Sequence, residues 1–153
     1  MERKTRIYFD MDGTLADLYA VNDWLQMLCS EDATPYEQAK PMLNFSLLAR
    51  LIHKAEQCGF DFGIISWGSK CASAEYDREV ELTKRDWLAQ HLPSVEFAEI
   101  VVVPYGTPKA ECVEFPTGIL FDDEPQNRDN WEGFAFSETD ILEILKAIAR
   151  GEL

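Results

Sequence analysis

The chain has 153 residues, enough for one domain with a sizeable core, and 46% of them are hydrophobic, which excludes a disordered chain. Acidic residues number 28 and basic residues 14, so the formal charge is −14. Such a surface repels nucleic-acid backbones and anionic lipid, and we expect neither a long nucleic acid nor a membrane as a partner. A small anion can bind only where a cation masks the local charge.

The cysteines at positions 29, 58, 71 and 112 include no C-x-x-C pair. This pattern favours reduced thiols in a reducing compartment over disulfides or a zinc site. The opening "MERKTRIYF" enters an apolar run that is too short for a signal peptide or a membrane span. We therefore expect a cytoplasmic protein.

The first half of the chain predicts two strands separated by two helices. Residues 7–10 form a short apolar strand, and apolar residues at helical spacing predict a helix over residues 17–29. The stretch "SEDATPYEQAKP" then breaks the pattern and predicts a loop. A second helical stripe covers residues 47–55, with Gly59 as its stop, and "FDFGIIS" predicts a strand that ends at Ser66.

The second half continues the alternation. A charged amphipathic helix is predicted over "YDREVELTKRDWLAQHL", followed by strands at "AEIVVV" and "GILFDD" and a shorter one at "GFAF". Ser137 and Asp140 are spaced as a capping box before a last amphipathic helix. Alternating strands and helices predict an α/β fold of the Rossmann-like, three-layer α/β/α type, with a mainly parallel sheet covered on both faces.

Polar residues stand where three of these strands end. They are Asp10, Ser66 and the pair Asp122 and Asp123. Parallel α/β sheets bind ligands beyond the carboxyl ends of their strands, so these side chains are expected to converge. Carboxylates that are buried together repel one another and become protonated unless a cation joins them. An all-oxygen ligand set of this kind suits Mg²⁺.

The D-x-D spacing of Asp10 and Asp12 has its own chemical logic. Alternate residues of an extended chain point the same way, so both carboxylates can address one reacting group. One can attack phosphorus and form an acyl-phosphate, while the other acts as general acid and base. Gly13 lets the backbone turn sharply after the strand. Taken singly, the Asp-Gly pair also fits a solvated turn, and the second acidic pair fits a charged strand-to-loop junction.

Three motifs resemble those of the haloacid dehalogenase-like (HAD) superfamily. "DMDGTLAD" after a hydrophobic strand resembles the first motif, "IISWGS" the second and "ILFDDEPQN" the fourth, so the resemblance extends from Ile7 to Asn127. It implies a single HAD-like domain over residues 1–153. It also implies a Mg²⁺-dependent phosphatase that acts through an aspartyl-phosphate.

The resemblance also assigns roles to individual residues. Asp10 is the nucleophile and a Mg²⁺ ligand, and Asp12 is the general acid and base, with its backbone carbonyl on the metal. Ser66 donates a hydrogen bond to a phosphoryl oxygen. Asp123 binds Mg²⁺ directly and Asp122 binds it through water, although the order within this pair stays open.

A lysine between the second and fourth motifs completes the HAD pattern. Lys109 in "GTPKAECV" is preferred, and Lys84 is the alternative, although a surface lysine is the ordinary interpretation of its place on a charged helix. The lysine offsets the negative charge of Asp10 and of the phosphoryl group. The expected substrate contacts are Met11, Ser66, Trp67 and Lys109.

The segment after the first motif sets the expected substrate. Residues 15–44 resemble a reduced helical cap with room for about one helix and a loop, and the whole pattern looks most like the pyrimidine 5′-deoxynucleotidase branch and its small bacterial and phage relatives. This segment has five acids and one lysine, Lys40, which favours monophosphates. Flat rings favour a substrate that bears a base, although Trp24 is better explained by packing and Trp67 fits a core position equally well. The rings are Tyr19, Trp24, Tyr36 and Trp67.

The predicted function is therefore hydrolysis of a small phosphate monoester, most of all a (deoxy)nucleoside 5′-monophosphate. One alternative is a phosphatase for nucleic-acid ends, which the charge of −14 disfavours. Another is a HAD-like binding module with little turnover, which would not need both acids of the D-x-D pair. The sequence leaves the natural substrate and the oligomeric state open.

Overall fold

A computed structural model describes residues 5–152 and shows an all-parallel, five-stranded sheet. Helical segments flank the sheet, so the predicted Rossmann-like α/β class is confirmed. The strands are β1 (Thr5–Phe9), β2 (Phe60–Trp67), β3 (Glu99–Val103), β4 (Ile119–Phe121) and β5 (Ala135–Phe136). Their order across the sheet is β3-β2-β1-β4-β5. The helices are α1 (Trp24–Cys29), α2 (Thr34–Gln38), α3 (Phe45–Gln57), α4 (Ala74–His91), α5 (Pro125–Asp129) and α6 (Ile141–Ala149). None of these helices is long and apolar enough to cross a membrane.

Strand β1 lies at the centre of the sheet because its side chains are apolar on both faces. Residues Ile7, Tyr8 and Phe9 are completely buried, as expected for a parallel strand covered on two sides. Phe9 is in register with Ile64 of β2 and with Phe121 of β4. The residues that follow Phe9 and Phe121 therefore emerge side by side at the carboxyl edge.

The two faces of the sheet are covered differently. On one face, α3, α6 and the second half of α4 pack on the stacked rings of Phe9, Phe62 and Phe121. On the other face, Tyr8 packs edge-on against Trp131, and the irregular segment 104–117 supplies most of the remaining cover. That segment contains a 3₁₀ helix at Lys109–Glu111, which brings Lys109 to the carboxyl edge.

Residues 15–44 form a segment that leaves the sheet after the first motif and returns close to its starting point. Its two ends are joined by backbone hydrogen bonds, from Asp17 N to Lys40 O at 2.8 Å and from Met42 N to Leu15 O at 2.9 Å. The segment packs on the first half of α4, where Tyr36 belongs to the same apolar cluster as Tyr76 and Val80. We call this segment the cap insert.

Two predictions inside the cap insert are wrong. The helix expected over residues 17–29 is divided into a 3₁₀ helix, Leu18–Ala20, and α1, because Asp23 adopts a left-handed φ of 61° between them. The loop expected over residues 30–41 contains α2, whose Pro35 occupies the first turn, where a missing N–H costs nothing.

Two predicted boundaries also differ in detail. Strand β2 extends one residue beyond Ser66, to Trp67. The Ser137 hydroxyl accepts a hydrogen bond from Thr139 N and caps a 3₁₀ helix, Glu138–Asp140, so α6 begins only at Ile141. The expected capping box is thus replaced by a cap on the preceding short helix.

Candidate active site

The predicted acids converge at the carboxyl edge of the sheet. Asp10 follows β1, and its backbone N–H donates to Phe121 O at 2.9 Å, which locks it beside the end of β4. Asp122 follows Phe121 directly. One carboxylate oxygen from each of Asp10, Asp122 and Asp123 lies within 4.8 Å of the others. The expected convergence of the first and fourth motifs is therefore observed.

Lys109 joins the ends of β1 and β4. Its ammonium donates to Asp10 Oδ1 at 2.8 Å and to Asp122 Oδ2 at 2.6 Å, and the lysine is 4% exposed. Burial alone would lower the pKa of Lys109, but the charges of the two carboxylates outweigh burial and raise it. Lys109, the lysine preferred from the sequence, therefore lies against Asp10.

A turn of the backbone brings Asp123 against the first motif. The Thr14 hydroxyl donates to Asp10 Oδ2 at 3.0 Å and accepts from the Asp123 backbone N–H at 3.2 Å. Gly13 has φ of +81°, and a Cβ at that position would overlap the Asp123 carboxylate. Glycine is therefore needed both for the turn and for the close approach of the second acid.

Burial destabilises the charged form of the carboxylates in this cluster. Desolvation raises the pKa of Asp122 and Asp123, and the nearby charge of Asp10 raises both further. Lys109 opposes the shift at Asp122 but does not cancel it. Three oxygen donors with excess negative charge are a donor set that Mg²⁺ fits.

Asp12 faces a different partner. Its Oδ2 accepts from Lys84 Nζ at 2.9 Å, and its carboxylate is not part of the three-acid cluster. Burial raises the pKa of Asp12, and the charge of Lys84 opposes that shift. Any metal contact from Asp12 is therefore left to its backbone carbonyl, the atom that the resemblance assigns.

Lys84 is not a surface residue, and that interpretation is wrong. It is 1% exposed and also donates to Ser66 Oγ at 2.7 Å. Ser66 is itself completely buried, behind Lys84, and does not line the cavity described below. The structure therefore places Ser66 in contact with Lys84 and not at the position expected for a phosphoryl ligand.

A cavity of about 370 Å³ opens above the acids, between the sheet and the cap insert. Asp10, Asp12 and Asp123 form part of its floor, with Lys109 beside them. Its walls are largely apolar and aromatic. The aromatic side chains are Tyr19, Trp24, Tyr36, Trp67 and Tyr105.

Trp67 belongs to the cavity wall. Its indole N–H donates to Thr107 O at 2.7 Å, and its ring lies 4.9 Å from that of Tyr105. Trp24 also lines the cavity, where it meets Tyr19 edge-on at 5.0 Å. Met11 is different, because its side chain is 1% exposed within the main core and does not reach the cavity.

Three residues of the site, Thr14, Asn127 and Tyr105, are not among those predicted from the sequence. Thr14 and Asn127 lie within the quoted motifs, and Asn127 donates to Asp122 Oδ2 at 3.2 Å. Nothing in the sequence around Tyr105, apart from its aromatic ring, indicates that it lines the site. The burial of Lys84 could have been predicted from its spacing, because it shares the apolar face of α4 with Val80, Trp87 and Leu88.

The comparisons with known proteins assign no family to this arrangement. No protein-family model matches the chain, and no curated protein matches it.

Proposed function

We propose that the chain is a Mg²⁺-dependent phosphatase of the HAD type, which hydrolyses a small phosphate monoester through an aspartyl-phosphate on Asp10. One observation carries the proposal. Asp10 lies on the floor of a cavity, fixed by Lys109 and Thr14, with Asp122 and Asp123 beside it. Such a set of fixed oxygens next to a small cavity suits phosphoryl transfer.

Asp10 is placed to attack. Lys109 holds Oδ1 and Thr14 holds Oδ2, so the carboxylate keeps one orientation toward the cavity. Fixing a nucleophile in this way removes much of the entropic part of the barrier. The ammonium of Lys109 also offsets charge that builds up on the phosphoryl oxygens.

Asp12 is placed to move a proton. It lines the cavity two residues after Asp10, and burial raises its pKa, which favours the protonated form that a general acid needs. In the first step, Asp12 gives its proton to the leaving oxygen while Asp10 bonds to phosphorus. In the second step, Asp12 takes a proton from the water that hydrolyses the aspartyl-phosphate.

Asp10, Asp122 and Asp123 would hold the metal, together with the Asp12 carbonyl. When bound, Mg²⁺ supplies positive charge that stabilises the phosphoryl group as it transfers. The raised pKa values of Asp122 and Asp123 support this assignment, because a cation relieves the charge that causes them.

The cavity favours a small substrate with a flat leaving group. Its aromatic walls can contact a base or a similar ring. Among the described residues that line it, the cations are Lys70 and Lys109, while Asp123 and Glu124 would repel further phosphates. Nucleoside 5′-monophosphates, deoxy forms included, are the proposed class, as in the pyrimidine 5′-deoxynucleotidase branch.

A substrate panel with Mg²⁺ tests this function. It contains nucleoside 5′-mono-, di- and triphosphates, sugar phosphates, a phospho-amino acid and a 5′-phosphorylated oligonucleotide. We expect the highest kcat/KM for a nucleoside 5′-monophosphate. Preference for the oligonucleotide would favour the end-phosphatase alternative. Binding of a monophosphate without turnover would indicate a binding module and contradict the proposal.

A further inference from the structure

Lys84 is a buried cation that the chemistry proposed above does not use. It lies on α4 among apolar neighbours and is 1% exposed. Burying an ammonium ion is costly unless its charge is balanced and its donors are all satisfied. The contacts of Lys84 therefore show what this burial achieves.

All three N–H donors of the Lys84 ammonium are engaged. They reach Asp12 Oδ2 at 2.9 Å, Ser66 Oγ at 2.7 Å and the Trp67 carbonyl at 2.7 Å. The ring of Tyr36, from the cap insert, lies 4.9 Å from the same nitrogen. Because a lysine ammonium has only three donors, none is left for a substrate oxygen.

Asp12 depends on this contact for its orientation. Among residues 5–152, Lys84 is the only side chain or backbone group that donates a hydrogen bond to the Asp12 carboxylate. The bond engages Oδ2 and leaves Oδ1 for proton transfer at the cavity. Asp10, by contrast, is held by both Lys109 and Thr14.

We propose that Lys84 is a positioning residue that fixes the Asp12 carboxyl for proton transfer to the leaving group, with Ser66 and the Trp67 carbonyl as its anchors on β2. This inference rests on the proposed phosphatase function. It assigns Ser66 a supporting role behind the site and not a contact with the phosphoryl group.

The step that Lys84 supports is specific. An oxygen of Asp10 forms a bond to phosphorus as the bond from phosphorus to the leaving oxygen breaks, and the electron pair of that bond stays on the leaving oxygen. The proton of Asp12 passes to that oxygen, which departs as an alcohol or phenol. A strongly acidic leaving group needs this proton far less than a weakly acidic one.

Phenyl phosphate and p-nitrophenyl phosphate provide the test, because they are similar in shape while p-nitrophenol is much the stronger acid. With Mg²⁺ present, kcat/KM covers the steps up to phosphorylation of the enzyme. In Lys84→Met we expect kcat/KM for phenyl phosphate to fall by at least ~10², and for p-nitrophenyl phosphate by less than ~10. Lys54→Met, at an exposed lysine of α3, is the control and should change neither value.

Two further variants test the same role if the Lys84→Met protein does not fold. Lys84→Arg keeps a buried cation but cannot reproduce the three compact contacts, and Ser66→Ala removes one anchor. Both should lower the phenyl phosphate value more than the p-nitrophenyl phosphate value, with Ser66→Ala the milder. Their KM values should stay near wild type, because Lys84 has no donor free for substrate.

Equal losses on the two substrates in folded variants would overturn the role of Lys84, since a merely structural lysine does not sense the leaving group. Unchanged values in Lys84→Met would overturn it as well. If the wild-type protein hydrolyses neither of these substrates nor any nucleoside 5′-monophosphate of the panel, the proposed function itself fails. The two failures are thus distinguishable.

Discussion

Acidic side chains cluster at both ends of the sheet, but their partners and their exposure to water differ between the two ends. At the amino end, Arg6 donates to Asp61 at 2.8 and 3.0 Å, to Glu99 at 2.9 Å and to Glu114 at 3.1 Å. At the carboxyl end, Lys84 and Lys109 face four aspartates. Among the groups just named, each end therefore has two more acidic than basic members.

The two ends differ in how far their charged side chains are exposed to water. The Glu114 side chain is 63% exposed, so water screens part of the charge around Arg6, while Asp122 is completely buried. The hydrogen bond with Asp61 leads the effects that raise the pKa of Arg6, which is the signature of a stabilising ion cluster. At the carboxyl end, burial instead raises the pKa of Asp122 and Asp123. Equal formal charge thus supports structure at one end and, at the other, leaves negative charge that the proposed Mg²⁺ would offset.

The largest contrast is expected from one amide substitution at each end. Asp10→Asn removes the attacking charge and a metal ligand, and activity should fall by at least ~10³, or ~4 kcal/mol in barrier. Asp61→Asn at the amino end should leave kcat/KM unchanged. Steady-state kinetics on the preferred monophosphate measures both. Near-wild-type turnover by Asp10→Asn would exclude the aspartyl-phosphate mechanism.

Metal removal should affect only the carboxyl end. Chelation should lower turnover by at least ~10², because the carboxylates lose the cation that offsets them, and added Mg²⁺ should restore it. Ca²⁺ should restore little, since its looser coordination misplaces the attacking carboxylate. Full activity in chelator, or equal activity with Ca²⁺, would contradict the metal assignment.

The sequence predicted the carboxyl-end cluster well because topology does most of the placing. Once strands alternate with helices, the residues after β1 and β4 must meet at one edge, and Asp10, Asp122 and Asp123 do so. The class of the fold followed from the same alternation. Lys109 was found because it precedes β4 and can return to its end.

What the sequence did not reveal depends on packing between distant segments. The stripe over residues 17–29 fits a helix, but the left-handed residue Asp23 divides it where the cap insert turns across α4. Charge normally means exposure, so the sequence favours a surface position for Lys84, whose partner Asp12 is 72 residues away. Ser66 was placed by motif position, and only the structure shows its hydroxyl behind that lysine.

Stability should respond to the amino end. Arg6→Met removes the partner of three carboxylates, and we expect a loss of about 2 kcal/mol in the free energy of unfolding. This is less than the about 3–5 kcal/mol of a fully buried pair, because Glu114 reaches water. Denaturant unfolding measures it, and kcat of the folded variant should be unchanged.

Arg150→Met is the matched control for that measurement. Its partner Glu152 is exposed, so Arg150→Met should change the free energy of unfolding far less than Arg6→Met does. Equal effects of the two substitutions would mean that the Arg6 cluster contributes no more than a surface pair.

The metal-free protein should become more stable as the pH falls. The folded-state pKa values of Asp122 and Asp123 lie above the ordinary aspartate value of about 4, so the folded state binds more protons than the unfolded state. Stability is therefore lost as the pH rises through the raised values. Between about pH 5 and about pH 8 we expect a loss of about 1–2 kcal/mol, measured by denaturant unfolding in chelator.

Asp123→Asn separates this effect from general charge repulsion. The variant keeps nearly the whole negative charge of the protein but removes one of the two raised carboxyls. Its stability should depend less on pH than that of the wild-type protein. If the free energy of unfolding changes with pH equally in the two proteins, the carboxylate cluster is not the cause of the pH dependence.

The smallest expected effect concerns aromatic rings at the two ends. Trp67 lines the cavity with its indole fixed by Thr107 O, so its ring can stack on a base without first being ordered. Trp67→Ala should raise KM for a nucleoside 5′-monophosphate by ~10-fold, near the lower part of the ~1–3 kcal/mol per stacked base, while KM for a sugar phosphate changes little. Trp67→Phe keeps a ring and should recover part of the loss. Phe134, which precedes β5 at the amino end and is 76% exposed, supplies the control, since Phe134→Ala should change neither KM. If Trp67→Ala affects both substrates equally, or if a sugar phosphate has the highest kcat/KM in the wild-type protein, the nucleotide assignment fails while the phosphatase assignment stands.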